Sequence, residues 1–126
     1  MSDVRIVHPA DRSVATPATP GMDRRQAFHD PGAWVGHVTT AAGVVTGWHT
    51  HADYDTFIYV LRGHVTIEFG PAGSRAVAAG PGDFVRIGRG VVHREGTAAG
   101  SAGVDVVLVR VGQGEPVTNV DGPDPA

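Results

Sequence analysis

The sequence predicts an all-β domain, and three observations support this prediction. Valine is the commonest residue and glycine is nearly as frequent, whereas leucine occurs only twice and glutamate three times. Valine favours strands, and the residues that favour helices are scarce. From Trp34 onward, short apolar runs alternate with turn signals rich in glycine and proline at close, regular spacing. Such a pattern is typical of an antiparallel sandwich or barrel.

With 126 residues, the chain is long enough for one domain with a substantial core. Residues 1–33 are expected to form an N-terminal arm, because four prolines interrupt them. Within the arm we expect a short strand at Val4–Val7 and a turn near Asp23–Phe28, but no helix beyond that turn. Residues 34–111 are expected to form the barrel, and residues 112–126 a surface tail.

The barrel is expected to contain eight or more short strands. Arg62-Gly63, Gly70–Gly73 and Gly80–Asp83 are turn signals between them. The predicted strands are Trp34–Thr39, Val44–His51, Thr56–Leu61, Val65–Phe69, Arg75–Ala79, Phe84–Ile87, Val91–Glu95 and Val104–Val111, with an edge strand at Val117–Val120 in the tail.

The composition excludes several classes of protein. Cysteine is absent, which excludes disulfides and thiolate metal sites. All ten basic residues are arginine, which excludes lysine Schiff bases. The formal net charge is -3, and the sequence contains no block of basic residues. No apolar run reaches the roughly 18 residues of a membrane span. The N-terminus lacks the pattern of a signal peptide. We therefore expect a soluble, cytoplasmic protein with no nucleic-acid or membrane partner.

Two histidines, His49 and His51, lie one residue apart at the end of a predicted strand. Residues two apart in a strand point to the same face. The two imidazoles would therefore project side by side, as two ligands of one metal ion require.

Two stretches of the chain resemble the paired signatures of the cupins. The first is Gly43, five residues, His49-Thr50-His51, four residues, Thr56, six residues and Gly63, and the second runs from Gly82 through Gly88-Arg89-Gly90 to His93. The resemblance covers about residues 34–111 and implies a double-stranded β-helix, a barrel related to the jelly roll. It also implies that His49, His51 and His93 converge as metal ligands in the mouth of the barrel.

Thr56 stands where the first cupin signature normally has a metal-binding glutamate. A threonine hydroxyl is a poor ligand, so we expect a three-histidine site with open positions. Such a site suits one divalent transition metal ion, with iron favoured and zinc, nickel, copper or manganese as alternatives. Glu95, Asp55 and water are the candidates for a further ligand, although Asp55 points away if Thr56 faces the ion.

Glu95 is the candidate catalytic residue. It follows His93 by two positions and shares its face if the strand is regular. A carboxylate facing a barrel interior is costly unless it is paired or used, so Glu95 is interpreted as a general base or as a group that orients a ligand histidine. The alternative is that the strand ends at Arg94 and that Glu95 reaches water.

Other polar residues are open to two interpretations. His37 either lines the cavity or is an ordinary packed or exposed residue. Arg86 and Arg94 either bind a substrate carboxylate or lie on the solvated surface.

An outward apolar stripe is expected on one strand, formed by Phe57, Tyr59 and Leu61. Monomers rarely leave such a patch bare, so a second subunit or the arm is expected to cover it. The resemblance to small cupins favours a homodimer.

The leading hypothesis is a metal-dependent small-molecule enzyme, a three-histidine non-haem iron dioxygenase. Three neutral imidazoles leave the charge of the ion uncompensated, which favours a small, anionic, chelating substrate. One alternative is a lyase or isomerase that uses zinc or another ion as a Lewis acid. Another is a non-catalytic binding or sensing module, since a fold does not fix a function.

Overall fold

The computed structural model describes residues 3–14, 20–51, 53–97, 102–113 and 118–124. These residues form single-turn 3-10 helices at Pro9–Asp11 and Pro71–Gly73 and eleven strands. The strands are β1 (Ser13–Val14), β2 (Met22–Asp30), β3 (Ala33–Thr40), β4 (His49–Thr50), β5 (Asp53–Arg62), β6 (Val65–Phe69), β7 (Arg75–Ala79), β8 (Phe84–Ile87), β9 (Arg94–Gly96), β10 (Val104–Gln113) and β11 (Thr118–Asn119). Within this described part, no helix is long and apolar enough to cross a membrane.

The strands form three antiparallel sheets that close the barrel. The largest has the order β1-β2-β3-β10-β5-β8, the second has the order β7-β6-β9, and β11 pairs with β4. This arrangement confirms the predicted all-β class and the double-stranded β-helix.

The core lies between the two larger sheets. Along β3 and β10 every second residue is buried, because successive side chains of a strand point to opposite faces. The buried apolar residues of the core are Trp34, Val38, Ile58, Val60, Val65, Ile67, Ala79, Ile87, Val104, Val106 and Leu108.

The N-terminal segment differs from its prediction. Met22–Asp30 forms β2, paired along β3, where only a turn near Asp23–Phe28 was expected. Pairing with β3 stabilises an extended segment whose polar sequence gives no strand signal of its own. Val4–Val7 is not a strand, and Val4 and Ile6 are exposed.

The histidine segments are also less regular than predicted. Of Val44–His51, only His49–Thr50 is a strand, and β9 begins at Arg94 and not at Val91. The edge strand of the tail is shorter than predicted and pairs with β4. Val117 lies outside the described residues.

Candidate metal centre

The backbone joins the two histidine segments directly. The amide of His49 donates to the carbonyl of His93 at 2.9 Å, and the amide of His93 donates to the carbonyl of His49 at 3.0 Å. Residues opposed in this way place their side chains on the same face. The structure therefore brings His93 beside His49 although 43 residues separate them in sequence.

The three predicted histidines converge. Their ring centroids lie 4.3 Å apart for His49 and His93, 4.8 Å for His51 and His93, and 5.4 Å for His49 and His51. One ring nitrogen of each lies within 4.8 Å of those of the other two, and all three side chains are buried. This group is suited to hold a metal ion.

The hydrogen bonds of the rings support this reading of the group. Nδ1 of His49 bonds the carbonyl of Gly47 at 2.8 Å, and Nδ1 of His93 bonds that of Val91 at 2.9 Å. A carbonyl only accepts, so both rings carry their proton on Nδ1 and leave Nε2 as a bare lone pair. Nε2 of His93 is buried without a hydrogen-bond partner in the described chain. A bound ion would account for a buried acceptor of this kind.

The electrostatics keep His51 and His93 neutral. Burial, together with the nearby His93 and Arg110, lowers the pKa of His51 to about 2. Burial also lowers the pKa of His93, in spite of the opposing charge of Glu95. Only neutral imidazole binds a metal ion, so these two rings need not lose a proton at neutral pH before binding.

Thr56 faces the site and Asp55 faces away, as expected. The Thr56 hydroxyl lies 2.6 Å from Nδ1 of His51 and is fully buried. Asp55 accepts hydrogen bonds from the backbone and side chain of Arg89 and from Arg86, at 3.2 to 3.3 Å. Burial acts to raise the pKa of Asp55, but the bonds from Arg89 and the charge of Arg86 lower it overall.

Glu95 lies opposite Ile67 in the β6–β9 pair, on the interior side of the sheet. It borders an internal cavity of about 20 Å³ that is otherwise lined mainly by apolar residues. Its half-buried side chain also borders a groove on the opposite side, with Thr66 and Arg94. Its charge acts on His93, Arg24 and Arg110. The carboxylate of Glu95 therefore interacts electrostatically with charged and ligand residues of the barrel interior.

Two arginines in the barrel interior were not predicted from the sequence. Arg110 is 3% exposed, and Arg24 is also buried. Arg110 continues the inward face of Val104, Val106 and Leu108 on β10, so strict alternation would have found it. Arg24 lies on β2, which was not predicted as a strand and so offered no face to assign.

Two of the residues with two interpretations, His37 and Arg94, make their side-chain contacts outside the histidine cluster. His37 is on the outward face of β3, with Arg12 at 3.3 Å and Asp105 at 3.8 Å. Arg94 pairs with Glu68 and stacks on Trp48. Both occupy the second of the two settings considered for them.

An open cavity of about 450 Å³ leads to His93. Most of its lining is apolar, and Arg86 lies at its edge, paired with Asp55. Cavities of this size and composition hold small organic molecules. Its apolar lining residues include Ile67, Phe69, Val77, Phe84, Ile87 and Val91.

Comparison with known proteins places these features in a family. The cupin domain model matches residues 36–110. The structure is similar to the polyketide cyclase RemF from Streptomyces resistomycificus, with 25% identity, a TM-score of 0.75, and coverage of 94% of this chain and 86% of that one.

Two further structures share the fold. A protein with a double-stranded β-helix domain from Klebsiella pneumoniae is 16% identical, with a TM-score of 0.71 and coverage of 94% and 98%. Hydroxypropylphosphonic acid epoxidase from S. wedmorenis is 16% identical, with a TM-score of 0.70 and coverage of 84% and 58%. No curated protein sequence matches significantly.

Proposed function

The chain belongs to the cupin domain family, and we propose that it is a cytoplasmic, metal-dependent enzyme acting on a small β-dicarbonyl substrate. The single observation that carries this proposal is the buried cluster of His49, His51 and His93, which an apolar cavity reaches at His93. A filled barrel would have favoured a binding module without catalysis, whereas a cavity of about 450 Å³ beside the histidines favours an enzyme.

His49, His51 and His93 would hold one divalent ion. No carboxylate belongs to the histidine cluster within the described chain, so the ligands leave the charge of the ion uncompensated. When bound, the ion would act as a Lewis acid that polarises substrate carbonyl groups. A β-dicarbonyl compound offers two oxygens and forms an anion, which suits this charge.

The reaction that we favour is non-redox ring closure followed by elimination of water. Support comes from the polyketide cyclase, which is 25% identical over most of both chains. We assign Glu95 as the general base. It would remove a proton from the carbon between the two carbonyl groups, that carbon would attack a further carbonyl of the same molecule, and the proton would return to the oxygen formed there. The new carbon–carbon bond closes the ring, and loss of the resulting hydroxyl as water, with the second hydrogen of the attacking carbon, would then form a double bond in it.

The second candidate is the iron dioxygenase expected from the sequence. The observation that favours it is the all-histidine cluster, with Thr56 in the usual place of the glutamate. Iron in the site would supply reaction with dioxygen. Both candidates use the same class of substrate, but only this one consumes oxygen.

Two measurements separate the candidates. Elemental analysis of protein purified without added metal gives the ion, and a β-polyketone substrate is then followed by oxygen electrode and by mass spectrometry. Loss of 18 Da without oxygen uptake supports the cyclase, and stoichiometric oxygen uptake supports the dioxygenase. Both candidates would be refuted if the purified protein holds no transition metal and its metal content does not differ from that of His51→Ala.

Glu95→Gln tests the assigned base. We expect this variant to retain the metal content of the wild type and to lose activity by about 100-fold or more, the usual contribution of a general base. Glu68→Gln is the matched control, because Glu68 pairs with Arg94 outside the histidine cluster.

We further propose that the enzyme is a homodimer formed through the outward stripe of β5. Phe57 and Leu61 are 39% and 48% exposed, and the neighbouring Phe84 is 79% exposed. Light scattering of the Phe57→Glu/Leu61→Glu variant is expected to report a monomer. Val45→Glu changes an exposed valine outside the stripe and should leave the dimer intact; a monomeric wild type would refute the proposal.

A further inference from the structure

We propose that Arg110 is the anion-recognition residue of this site and that it binds a carboxylate group of the substrate. The inference rests on the proposed function for the identity of the neighbouring metal site, and it adds a second charged group to the β-dicarbonyl substrate. Arg110 is 3% exposed, and its Nε is buried without a hydrogen-bond partner among the described residues. No carboxylate of that described set lies within ion-pair distance of its guanidinium. A buried guanidinium nitrogen without a hydrogen-bond partner calls for an explanation, because the charged group has been removed from water.

The sheet register places Arg110 beside the histidine cluster. On three adjacent strands Arg110 is paired with Thr56, and Thr56 with Ile87. Thr56 bonds His51, and Ile87 lines the large cavity. Neighbouring strands lie about 4.8 Å apart, so the Arg110 backbone is one strand from the residue that anchors His51 and two strands from the cavity wall.

The guanidinium is held in place by Trp34. Its central carbon lies 4.8 Å from the centre of the Trp34 ring, within the range of a cation–π contact. The indole Nε1 of Trp34 donates to Gln26 at 2.9 Å. A Cβ at Gly36 would collide with the Trp34 ring and with the backbone of Arg25. Glycine at this position therefore provides the space that the Trp34 ring occupies. Arg110 is thus positioned before any ligand arrives, which lowers the entropic cost of binding.

The local charges favour an anion at Arg110. Burial and the nearby Arg24 lower the pKa of Arg110 to about 10, so it stays charged at neutral pH. Glu95 is the one carboxylate that acts on it, and the same carboxylate acts on Arg24. The two neighbouring guanidiniums, Arg24 and Arg110, make this part of the interior favourable for an anion.

The chemistry of the side chain selects a carboxylate. The planar fork of arginine matches a carboxylate through two parallel hydrogen bonds. The charge of Arg110 acts on His51 of the cluster, and an apolar cavity reaches His93 of the same cluster. A monoanionic group on an apolar body suits this combination. Benzoate, a planar carboxylate on an apolar ring, is therefore the probe, and benzamide is its neutral counterpart of the same shape.

The test measures binding of benzoate and benzamide to metal-free protein by calorimetry. We expect the wild type to bind benzoate at least 10-fold more tightly than benzamide. Arg110→Gln should lose about 10- to 100-fold in benzoate affinity, as expected for a charge-assisted hydrogen bond, and should bind the two probes alike. Arg110→Lys keeps the charge without the fork and should lie between these values, which keeps the test valid if the glutamine variant does not fold.

Arg94→Gln is the matched control. Arg94 also stacks on a tryptophan, Trp48, at 4.7 Å, but it already pairs with Glu68. This variant should bind benzoate like the wild type. Equal affinity of the wild type for both probes, or unchanged benzoate affinity in Arg110→Lys and Arg110→Gln, would overturn the proposal.

The metal content of the same samples separates this inference from the proposed function. Benzoate binding that depends on Arg110, in a protein that takes up no metal, would support the anion site and refute the metal enzyme. Metal binding by the histidines, with benzoate affinity independent of Arg110, would refute the anion site alone.

Discussion

Each histidine of the cluster is oriented by a neighbour that is close in sequence. His49 and His93 bond carbonyls two residues earlier, at Gly47 and Val91, and His51 bonds the hydroxyl of Thr56 five residues later. The carbonyl contacts fix the tautomers of His49 and His93, and all three contacts fix the direction of the ring. The direction of all three free nitrogens is therefore determined locally, and the fold has only to bring the two segments together.

Thr56→Val is expected to lower the affinity for metal about 10- to 100-fold, the usual effect of removing a partner of a ligand histidine. Valine keeps the shape of threonine but cannot bond Nδ1 of His51. Thr56→Ser restores the hydroxyl and should recover most of the affinity. Competition with a chromogenic chelator measures both; equal affinities of the valine variant and the wild type would show that Thr56 only packs.

The stability of the metal-free protein should fall as the pH is lowered from 7 to 5. In the unfolded chain the histidines take up protons near pH 6.5, whereas in the folded state the pKa of His51 is about 2 and that of His93 is also lowered. Below about pH 6.5 the unfolded state therefore binds more protons. The free energy of unfolding then decreases by up to about 1.4 kcal/mol per pH unit for each such histidine.

Urea unfolding at pH 7, 6 and 5 measures this slope. His51→Gln removes one of the two groups and should give a shallower slope. His64→Gln, at an exposed position, should match the wild type. A wild-type slope near zero would contradict the neutral, buried state of the rings.

The sequence predicts the residues of the cluster better than it predicts their surroundings. Two histidines at strand spacing and a third in a matching motif are visible in one sequence, and the structure brings the three together. The hydroxyl contact from Thr56 and the stack of Arg110 on Trp34 depend on strand register. Register is decided by pairing with distant strands, so a single sequence does not reveal these contacts.

Among the secondary-structure elements, Asp55 of β5 joins that strand to the loop that leads to His93. It accepts hydrogen bonds from the backbone and the side chain of Arg89. The loop turns at Gly90, whose φ of 69° suits glycine. We therefore expect Asp55 to affect metal binding through the position of this loop, although its side chain points away from the histidine cluster.

Asp55→Ala is expected to loosen this loop and to lower metal affinity several-fold. Hydrogen exchange should show faster exchange of the Arg89 amide, because its acceptor is lost. Asp105→Ala is the matched control, since Asp105 also faces outward and pairs with an arginine, Arg62, at 2.8 Å. The control should lose stability without a change in metal affinity; the opposite ranking of the two variants would contradict the role of Asp55.

The bounds of a strand were predicted correctly where residues next to it in sequence mark the turns at its ends. The bounds of β6, β7 and β8 coincide with those predicted, because glycine-rich turns containing proline separate these strands. β2 was missed because its polar residues and flanking prolines resemble an irregular arm, and only pairing with β3 makes it a strand.

On the scale of the whole molecule, the proposed ion would link parts of the chain that are distant in sequence. His49 and His51 precede β5, and His93 precedes β9 of the other large sheet. An ion held by all three restrains segments that separate on unfolding. Binding to the folded state alone raises the free energy of unfolding by mass action.

A divalent ion at 100 times its Kd should therefore stabilise the protein by about 2.7 kcal/mol, equivalent to a rise of roughly 10 °C in Tm for a domain of this size. Thermal unfolding with iron(II) under argon, and separately with zinc, measures the shift. A chelator should reverse it. His51→Ala should show little of it, because losing one of three ligands lowers the affinity for the ion, while His64→Ala should respond like the wild type. A shift of equal size in both variants would show that the ion binds elsewhere. The buried, unpaired Nε2 of His93 would then require another explanation.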